Sequence, residues 1–409
     1  YELVEEHYCL DNGRPSVDPV VLIKIALIQY LFGIRSMRQT IKEIETNVAY
    51  RWFIGYSLTE KIPHFTTFGK NYVRRFEGTN LFEEIFTRIL KEAMNRRFIE
   101  PDVMFMDSTH VKASANKKKY IKRVVEAQTR SYQEQLDQEI REDRKKQGKK
   151  EFAPKTKEVR EIKESTVDPD SGYYVKNEQE RQFAYSFHTG CDRNGFVLGA
   201  MVEPGNIHDS QVFPALYQKL KDTVGKPTAV AVDAGYKTPF IAKLLLDEQV
   251  RPVMPYKRPM TKKEFFRKHE YVYDVYYDCY LCPQDQVLPY RTTTREGYKQ
   301  YVSNPKVCKD CPVLAQCTQS RSHTKQIHRH IWEEALEEAE HLRHTETNKE
   351  IYARRKETIE RVFADMKVKH GMRWTNLRRK SKVQHQAMLV FAAMNLKKLA
   401  TWRWRALHP

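Results

Sequence analysis

Apolar positions in the first eighty residues recur with the period of an α-helix. Asp18 and Pro19 supply an N-cap and a first-turn proline, and the apolar run 20–32 that follows ends at Gly33. Ser36 caps a second segment with helical spacing. This pattern predicts two short helices at the start of the chain.

A third helix is predicted after Thr66 or Thr67, in the basic segment FGKNYVRRFEG. Three short helices of which the last is basic are typical of a helix-turn-helix-like DNA-binding module, although many small helical bundles also have a basic face. We therefore expect residues 1–98 to form such a module. The candidate DNA contacts in it are Lys70, Arg74 and Arg75.

The pattern changes at Val103, where short apolar runs typical of buried strands begin. Such runs lie at 103–107, 183–190, 196–204, 228–233 and 250–256. Asn194-Gly195 marks a hairpin turn between two of them, and helical patterns at 209–220 and 239–247 alternate with the later ones. The order predicts a mixed α/β sheet, whose first part occupies 99–256.

Charge interrupts this sheet between residues 112 and 175. The stretch from Lys117 to Glu164 has sixteen Lys and Arg against ten Asp and Glu, with few apolar residues. A helical arm on DNA is one interpretation, but the composition favours a solvated, partly disordered insertion.

The regular helix and strand patterns are interrupted from Lys257 to about Ser320, and most of the cysteines lie in this part of the chain. We expect residues 257–325 to form a separate Cys-rich insertion. Cys279 and Cys282 are spaced C-x2-C, and three more are spaced C-x2-C-x5-C, namely Cys308, Cys311 and Cys317. Clustered thiolates favour a tetrahedral structural zinc with four ligands. Metal-free thiols are the main alternative, and an iron–sulfur cluster is disfavoured by the spacing. Cys9 and Cys191 are isolated and expected to be inert.

The last part of the chain, 326–409, is predicted to be helical and is strongly basic. The segment 386–399 is apolar nearly all round, so it should pack against the sheet. No acid follows Asp365, whereas eleven Lys and Arg do, and the whole chain carries a formal charge of +18. This distribution indicates nucleic acid rather than a membrane surface as the partner. The candidate DNA contacts here are Arg355, Arg373, Trp374, Arg378 and Arg379.

The chain has no apolar run of about eighteen residues and no visible signal peptide, so we expect a soluble, cytoplasmic protein.

Three acids stand at positions suited to metal chemistry. Asp107 and Asp233 each close an apolar run, and open α/β sheets place ligands at such strand ends. Glu360 lies in a predicted helix with Lys367 seven residues later, which is two turns along the same face. Oxygen ligands suit Mg²⁺ or Mn²⁺, and two such ions assist in-line displacement at a phosphodiester. Taken singly, each acid is more often a cap or an ion-pair partner.

Several motifs of the chain together resemble those of a known protein family. MFMDSTHVKA, AVDAGYKT and the cluster of Tyr352, Arg355, Glu360 and Lys367 resemble the DDE transposases of bacterial insertion sequences, most closely the insertion-sequence eleven-eighty-two group. Arg355 stands five residues before Glu360 instead of the usual four. The resemblance implies a ribonuclease-H-like core in which Asp107, Asp233 and Glu360 hold two Mg²⁺ or Mn²⁺ ions.

The resemblance has further implications. The YLCP sequence favours Cys282, Cys308, Cys311 and Cys317 as zinc ligands, with Cys279 as the alternative. His208 and Asp209 match a recurring segment and are expected to support the site or the local structure, as a helix N-cap more than as metal ligands. The implied activity is cleavage at the inverted repeats of the element and strand transfer into target DNA by a homodimer. The implied location is the bacterial cytoplasm, in association with the nucleoid. A nuclease that does not join strands and an inactive DNA-binding protein are the alternatives.

Overall fold

The computed structural model describes residues 1–8, 16–126, 132–153, 159–177, 180–258 and 263–408. In chain order the helices are α1 (Pro19–Leu31), α2 (Met37–Thr46), α3 (Val48–Ile54), α4 (Thr66–Asn71), α5 (Leu81–Asn95), α6 (Gln133–Lys146), α7 (Asp209–Val224), α8 (Pro239–Asp247), α9 (Pro305–Cys308), α10 (Leu314–Cys317), α11 (Glu333–Leu342), α12 (Glu346–Ala353), α13 (Ile359–Val368) and α14 (Lys380–Leu407). The strands are β1 (Val103–Lys112), β2 (Tyr120–Glu126), β3 (Val159–Ser165), β4 (Gly172–Val175), β5 (Arg181–Cys191), β6 (Val197–Pro204), β7 (Ala229–Ala231), β8 (Arg251–Val253), β9 (Val272–Asp274), β10 (Cys279–Leu281), β11 (Val287–Thr293), β12 (Tyr298–Val302) and β13 (Gln326–His330).

The first sheet is mixed, as the sequence predicts. Strand β5 pairs antiparallel with β1 and β6, and β4 extends the pairing at the beginning of β5. On the other side of β1 lie β7 and β8, both parallel to it. Helices α7 and α8 lie in the connections that lead to these two parallel strands, as is usual for parallel pairing. The predicted hairpin turn is confirmed: Gly195 has a φ of 72°, and β5 and β6 flank it.

Helix α14 covers the edge of this sheet. Strand β6 pairs only with β5, which would leave backbone groups on its other side without strand partners. The Asn395 side chain accepts from the Val197 N–H at 2.9 Å and donates to its carbonyl at 2.8 Å, and Gln384 accepts from the Val202 N–H at 2.8 Å. The predicted packing of 386–399 against the sheet is confirmed, in a helix that runs from residue 380 to 407.

Helix α1 is apolar nearly all round because it packs on two cores. Ile25 and Ile28 join α2 and α3 in a small N-terminal core, whereas Ala26 and Leu27 belong to the large core around the first sheet. The third helix of this small bundle is α3, which the sequence pattern did not reveal. The basic segment predicted as the third helix forms α4 and a π-helical turn at Tyr72–Phe76.

A second sheet occupies the part of the chain where regular structure was not expected. Strands β9 to β13 form an antiparallel sheet in the order β13-β12-β11-β10-β9. Its small core is built largely from tyrosines, including Tyr271, Tyr280 and Tyr301. The expectation of irregular structure from 257 to about 320 is therefore wrong, because these strands are short and combine tyrosine with charged residues instead of aliphatic runs.

The charged insertion is also partly ordered. Helix α6 buries Leu136, Ile140 and Arg144, which are spaced four residues apart on one face. Leu136 and Ile140 belong to the large core, and the helix also contacts β11 of the second sheet. The Arg144 guanidinium donates to the Thr293 carbonyl at 2.7 Å. The composition argument did not anticipate this ordered helix, because three buried positions among many charges escape it. Strands β2 and β3, which flank α6 in the chain, pair as a two-stranded antiparallel sheet.

Among the residues that the structure describes, no helix has the length and apolar character needed to cross a membrane.

Candidate active site

Asp107 lies near the middle of β1, and Asp233 lies in the loop that follows β7. Phe105 of β1 is paired with Ala231 of β7, and each acid stands two residues further along its own chain segment. This register brings the two acids near each other, and the charge of Asp233 acts on Asp107. The prediction that Asp107 ends its strand is wrong, because β1 continues to Lys112, whereas β7 ends two residues before Asp233.

Asp107 is held by one backbone group and one cation. Its Oδ1 accepts from the Ser108 N–H at 2.7 Å, and its Oδ2 lies 2.5 Å from Nη2 of Arg355. Burial raises the pKa of Asp107 to about 7, and the nearby charges of Asp233 and Asp209 add to the rise, although Arg355 opposes it. Desolvation therefore outweighs the ion pair, and the carboxylate gains from a further cation.

Asp209 joins the two acids from the first turn of α7. Its Oδ1 accepts from the Ser108 hydroxyl at 2.7 Å. A Cβ at Gly235 would lie 3.0 Å from Oδ2 of Asp209 and 3.2 Å from Oδ1 of Asp233, so a larger residue there would press on both carboxylates. His208, the neighbour of Asp209, is the N-cap of α7, accepting from the Ser210 N–H, as expected. Asp209 itself lies beside Asp107 and Asp233 and acts on the pKa of Asp107.

Two buried side chains lie behind Asp209. His188 Nδ1 lies 3.2 Å from the Tyr236 hydroxyl and 3.7 Å from Oδ1 of Asp209. Burial lowers the pKa of His188 to about 3, so the imidazole is neutral at ordinary pH. Tyr236 belongs to the AVDAGYKT motif, but no motif marks His188, and their contact depends on the pairing of β1 with β5 and on the loop after β7.

The segment that carries Glu360 and Lys367 is attached to β1 at two points. Arg355, in a 3₁₀ turn, bonds to Asp107, and the Lys367 ammonium donates to the Thr109 hydroxyl at 2.5 Å. Burial lowers the pKa of Lys367. Glu360 lies between these attachments, exposed on the first turn of α13. The predicted continuous helix is interrupted before α13, since α12 ends at Ala353.

The oxygen donors of this site suit Mg²⁺ or Mn²⁺ in their chemistry, because carboxylates are the side chains these ions prefer. In the part of the chain that the structure describes, however, no group of three or more His, Cys, Asp or Glu side chains is arranged to hold a metal ion. The structure brings Asp107, Asp233 and Asp209 together and leaves Glu360 exposed. The ligand set of Asp107, Asp233 and Glu360 stays a prediction.

Most side chains predicted to bind DNA lie on the surface. The exposed ones are Lys70, Arg74, Arg373, Trp374, Arg378 and Arg379. Arg75 instead donates to the His7 carbonyl at 3.1 Å and to the Asn71 side chain, and Arg355 is buried against Asp107. Arg75 and Arg355 are therefore engaged within the chain.

The clustered cysteines lie in the second sheet region, away from the carboxylates. Those that line one common cavity are Cys282, Cys308, Cys311 and Cys317. Cys279 is outside that lining, buried on β10. Cys191 is buried in the main core, in keeping with an inert thiol, and Cys9 lies outside the described residues.

Two segments of the chain match protein-family models. Residues 281–400 match a model described as a transposase DDE domain, and residues 1–74 match one described as a transposase domain, DUF772. Both are transposase families. Glu360 and Lys367 lie within the first match, whereas Asp107, Asp209 and Asp233 lie between the two matches. The two matched segments thus lie in the N-terminal and C-terminal parts of the chain. The assignment to one insertion-sequence group stays a prediction.

Other comparisons add little. The Mos1 strand transfer complex is a solved structure with 9% sequence identity to this chain and a TM-score of 0.19, covering 61% of this chain. The chain spans 62% of the length of the Mos1 chain. This similarity is too low to support a conclusion about fold or function. No curated protein is significantly similar to this chain.

Proposed function

We propose that this chain is a transposase that cuts DNA at the ends of an insertion sequence and joins the freed strand to target DNA. Asp107 and Asp233 would hold two Mg²⁺ or Mn²⁺ ions, with Glu360 completing the site. When bound, such ions activate the attacking oxygen and stabilise the leaving oxygen of a phosphodiester. The sheet, with an antiparallel set followed by two parallel strands, supports a ribonuclease-H-like core.

One observation carries this proposal: the 355–367 segment is attached to β1 at Asp107, and Asp233 lies near that acid. Arg355 and Lys367 make the attachment at Asp107 and at Thr109, the residue two positions further along. Glu360 lies between the two attachments in sequence, which supports its assignment to the same site.

The basic side chains have separate roles in the proposed reaction. Arg355 pairs with Asp107. It would contact a phosphate once Asp107 binds a metal ion. Lys367 is a point charge beside β1 that can hold a phosphate oxygen. The exposed basic residues of α4 and of 373–379 would contact the duplex backbone, which makes binding strongly dependent on salt.

The decisive experiment incubates the full chain with Mg²⁺, a target plasmid and DNA that carries the element's own ends. We expect both cut ends and joined products. Asp107→Asn, Asp233→Asn and Glu360→Gln should each lower the cleavage rate about a thousandfold, the loss expected when about 4 kcal/mol of transition-state stabilisation is removed. DNA binding, measured by gel shift, should stay unchanged.

Asp102→Asn is the matched control, because Asp102 immediately precedes β1 at its opposite end and is exposed. It should cleave like the wild-type chain. Full activity of any of the three acid variants would remove that residue from the site. Cut ends without joined products would establish a nuclease that lacks strand transfer, and DNA binding without cutting would establish an inactive copy. The proposed homodimer is tested by the mass of the complex with two DNA ends.

A further inference from the structure

Residues 369–376, here called the junction segment, are bonded to two elements of the candidate active site. The Met372 N–H donates to the Met366 carbonyl in the last turn of α13 at 3.1 Å. Further along, the Thr375 N–H donates to the Lys112 carbonyl at the end of β1 at 2.9 Å. The junction segment is therefore fixed both to α13 and to β1, which carry two of the proposed metal ligands.

The junction segment also supplies a donor to the end of α1. The last carbonyl groups of a helix have no N–H partner within it. The Ile34 N–H bonds to the Gln29 carbonyl at 2.8 Å, which leaves the Tyr30 carbonyl to another donor. Nδ1 of the buried His370 lies 2.7 Å from that oxygen. Because a carbonyl can only accept, Nδ1 carries the proton, and the imidazole closes the end of α1.

Two glycines allow the backbones of α1 and the junction segment to meet. Gly33 follows α1 and Gly371 lies in the junction segment, with φ values of 65° and 72°. A Cβ on Gly33 would lie 2.5 Å from the Lys369 carbonyl oxygen, closer than side chains pack, and a Cβ on Gly371 would lie 3.3 Å from the Gly33 carbonyl oxygen. Because the obstacle is backbone, it cannot rotate away, so a larger residue at Gly33 would push the two segments apart.

On the other side of this contact lies the N-terminal bundle, which consists of α1, α2 and α3 and has its own small core. The loop from α1 to α2 is bonded to the junction segment again after Gly33. The Asn376 side chain donates to the Arg35 carbonyl at 3.1 Å, and the Arg35 guanidinium lies 5.9 Å from the centre of the Trp374 ring. The junction segment thus holds the bundle on both sides of Gly33.

We propose that the junction segment couples the N-terminal bundle to the active site, and that His370 is its positioning residue. This coupling rests on the proposed function, in which the bundle binds DNA that the carboxylates cut. A duplex on a freely moving bundle would present its phosphates at variable positions, and a misplacement of about 1 Å can lower a reaction rate about a hundredfold. With the bundle, α13 and β1 held as one body, the position of DNA on the bundle decides which phosphate reaches the acids.

Four variants of the full chain test this coupling. Gly33→Ala and His370→Ala disrupt the junction in different ways. His370→Asn is the rescue variant, because its side-chain amide keeps an N–H donor near the position of Nδ1. Gly55→Ala is the matched control: Gly55 ends α3 of the same bundle with a φ of 85°, and no atom lies within 4 Å of an added Cβ. It therefore adds the same kind of backbone strain without touching the junction.

Hydrogen exchange measures the junction without any DNA. Exchange in the α1–α2 loop and in the junction segment should become about tenfold faster in Gly33→Ala and His370→Ala, as expected when one hydrogen bond is lost. It should stay near the wild-type rate in His370→Asn and Gly55→Ala, and exchange in β5 should not change. If Gly33→Ala does not fold, Asn376→Ala replaces it and should act in the same direction. Unchanged exchange in the junction variants, or equal acceleration in Gly55→Ala, would overturn the junction.

Hydroxyl-radical footprinting on DNA that carries the element's own ends measures the coupling and needs no cleavage. The wild-type chain and Gly55→Ala should protect two tracts at a fixed spacing, one from the bundle and one from the active site. Gly33→Ala and His370→Ala should keep the tract of the bundle and lose the other. A wild-type footprint without two tracts at a fixed spacing would overturn the coupling, as would junction variants that keep both.

Cleavage by the same proteins gives the last measurement. At saturating DNA, Gly33→Ala and His370→Ala should cut about a hundredfold more slowly and at scattered phosphates, with unchanged affinity in gel shifts, and His370→Asn should restore a single cut. Junction variants that cut one phosphate at the wild-type rate would contradict the coupling. A wild-type chain that shows both protected tracts but does not cut would refute the proposed cleavage and support the coupling.

Discussion

Two partly buried acids, Asp107 on β1 and Asp278 in the turn before β10, have pKa values that shift in opposite directions. Asp107 of the first sheet has a raised pKa, because burial and neighbouring carboxylates outweigh Arg355. For Asp278 of the second sheet, burial also acts to raise the pKa, but bonds from Tyr301 and Tyr273 and the charge of Lys299 outweigh it, so the pKa is lowered. The two tyrosine hydroxyls donate to Asp278 at 2.5 and 2.7 Å.

The difference is the one expected between a carboxylate held for structure and the proposed metal ligand. Asp278 receives enough donors to satisfy its charge, including Gln147 of the turn after α6 at 2.9 Å. Asp107 receives one backbone N–H and one arginine, which leaves its charge poorly compensated. A site that must take up a metal ion cannot satisfy its ligands beforehand, since the ion would then gain little by binding.

The largest effect on stability is expected when the charge of Asp278 is removed. Asp278→Asn should destabilise the second sheet by about 2–3 kcal/mol, because a charged acceptor of several buried donors is lost. Asparagine tolerates the positive φ of 47° at this position, so backbone strain does not contribute. Hydrogen exchange in β11 and β12 measures the loss, and exposed Glu296→Gln should have no effect. Unchanged exchange in Asp278→Asn would contradict the structural role.

A second effect, on the free energy of unfolding, should appear in the pH dependence of the metal-free chain. With a pKa of about 7 in the folded state, Asp107 binds its proton more tightly than in the unfolded chain, where the pKa is about 3.9. Its contribution to stability is therefore full at low pH and lost as pH rises from about 4 to about 7. Asp278 should behave oppositely, with its contribution lost as pH falls below about 4.

Thermal unfolding in a chelator at about pH 5 and about pH 8 checks this sign. The wild-type chain should lose more stability between these values than Asp107→Asn, and Mg²⁺ should raise the midpoint of the wild-type chain only. Equal pH dependence in the two proteins would show that Asp107 is ionised throughout.

The smallest effects are expected from removing single tyrosine hydroxyls. Tyr301→Phe in the second sheet and Tyr185→Phe in the first should each cost about 1 kcal/mol, because each removes a hydrogen bond to a buried acid and keeps the ring. Denaturant unfolding of both variants gives the comparison. Asp168, the partner of Tyr185, also accepts from the Arg379 N–H, so it keeps a donor in Tyr185→Phe. If Tyr185→Phe lowered the free energy of unfolding far more than Tyr301→Phe does, Asp168 and Asp278 would not be equally well supplied with donors.

Local periodicity in the sequence determined most of the first sheet. Apolar runs predicted β1, β5, β6 and β7, and Asn194-Gly195 predicted the turn that joins two of them, because these features depend on neighbours in the chain. Asp233 was predicted at a strand end for the same reason, whereas Asp107 lies within β1, because the strand continues past the apolar run to Lys112. The second sheet and α6 were missed, since their buried positions are few and lie among charged and aromatic residues.

Tertiary pairing decided what lies next to what. It placed Asp209 beside Asp107 through Ser108, 101 residues away in sequence, and it paired Arg355 with Asp107 across 248 residues. It also placed four thiols around one cavity and left Cys279 on β10, although Cys279 and Cys282 have the same spacing as Cys308 and Cys311. The sequence by itself determined the types of chemical group and their local elements. Which groups meet depends on strand register and helix packing, and no local pattern encodes these.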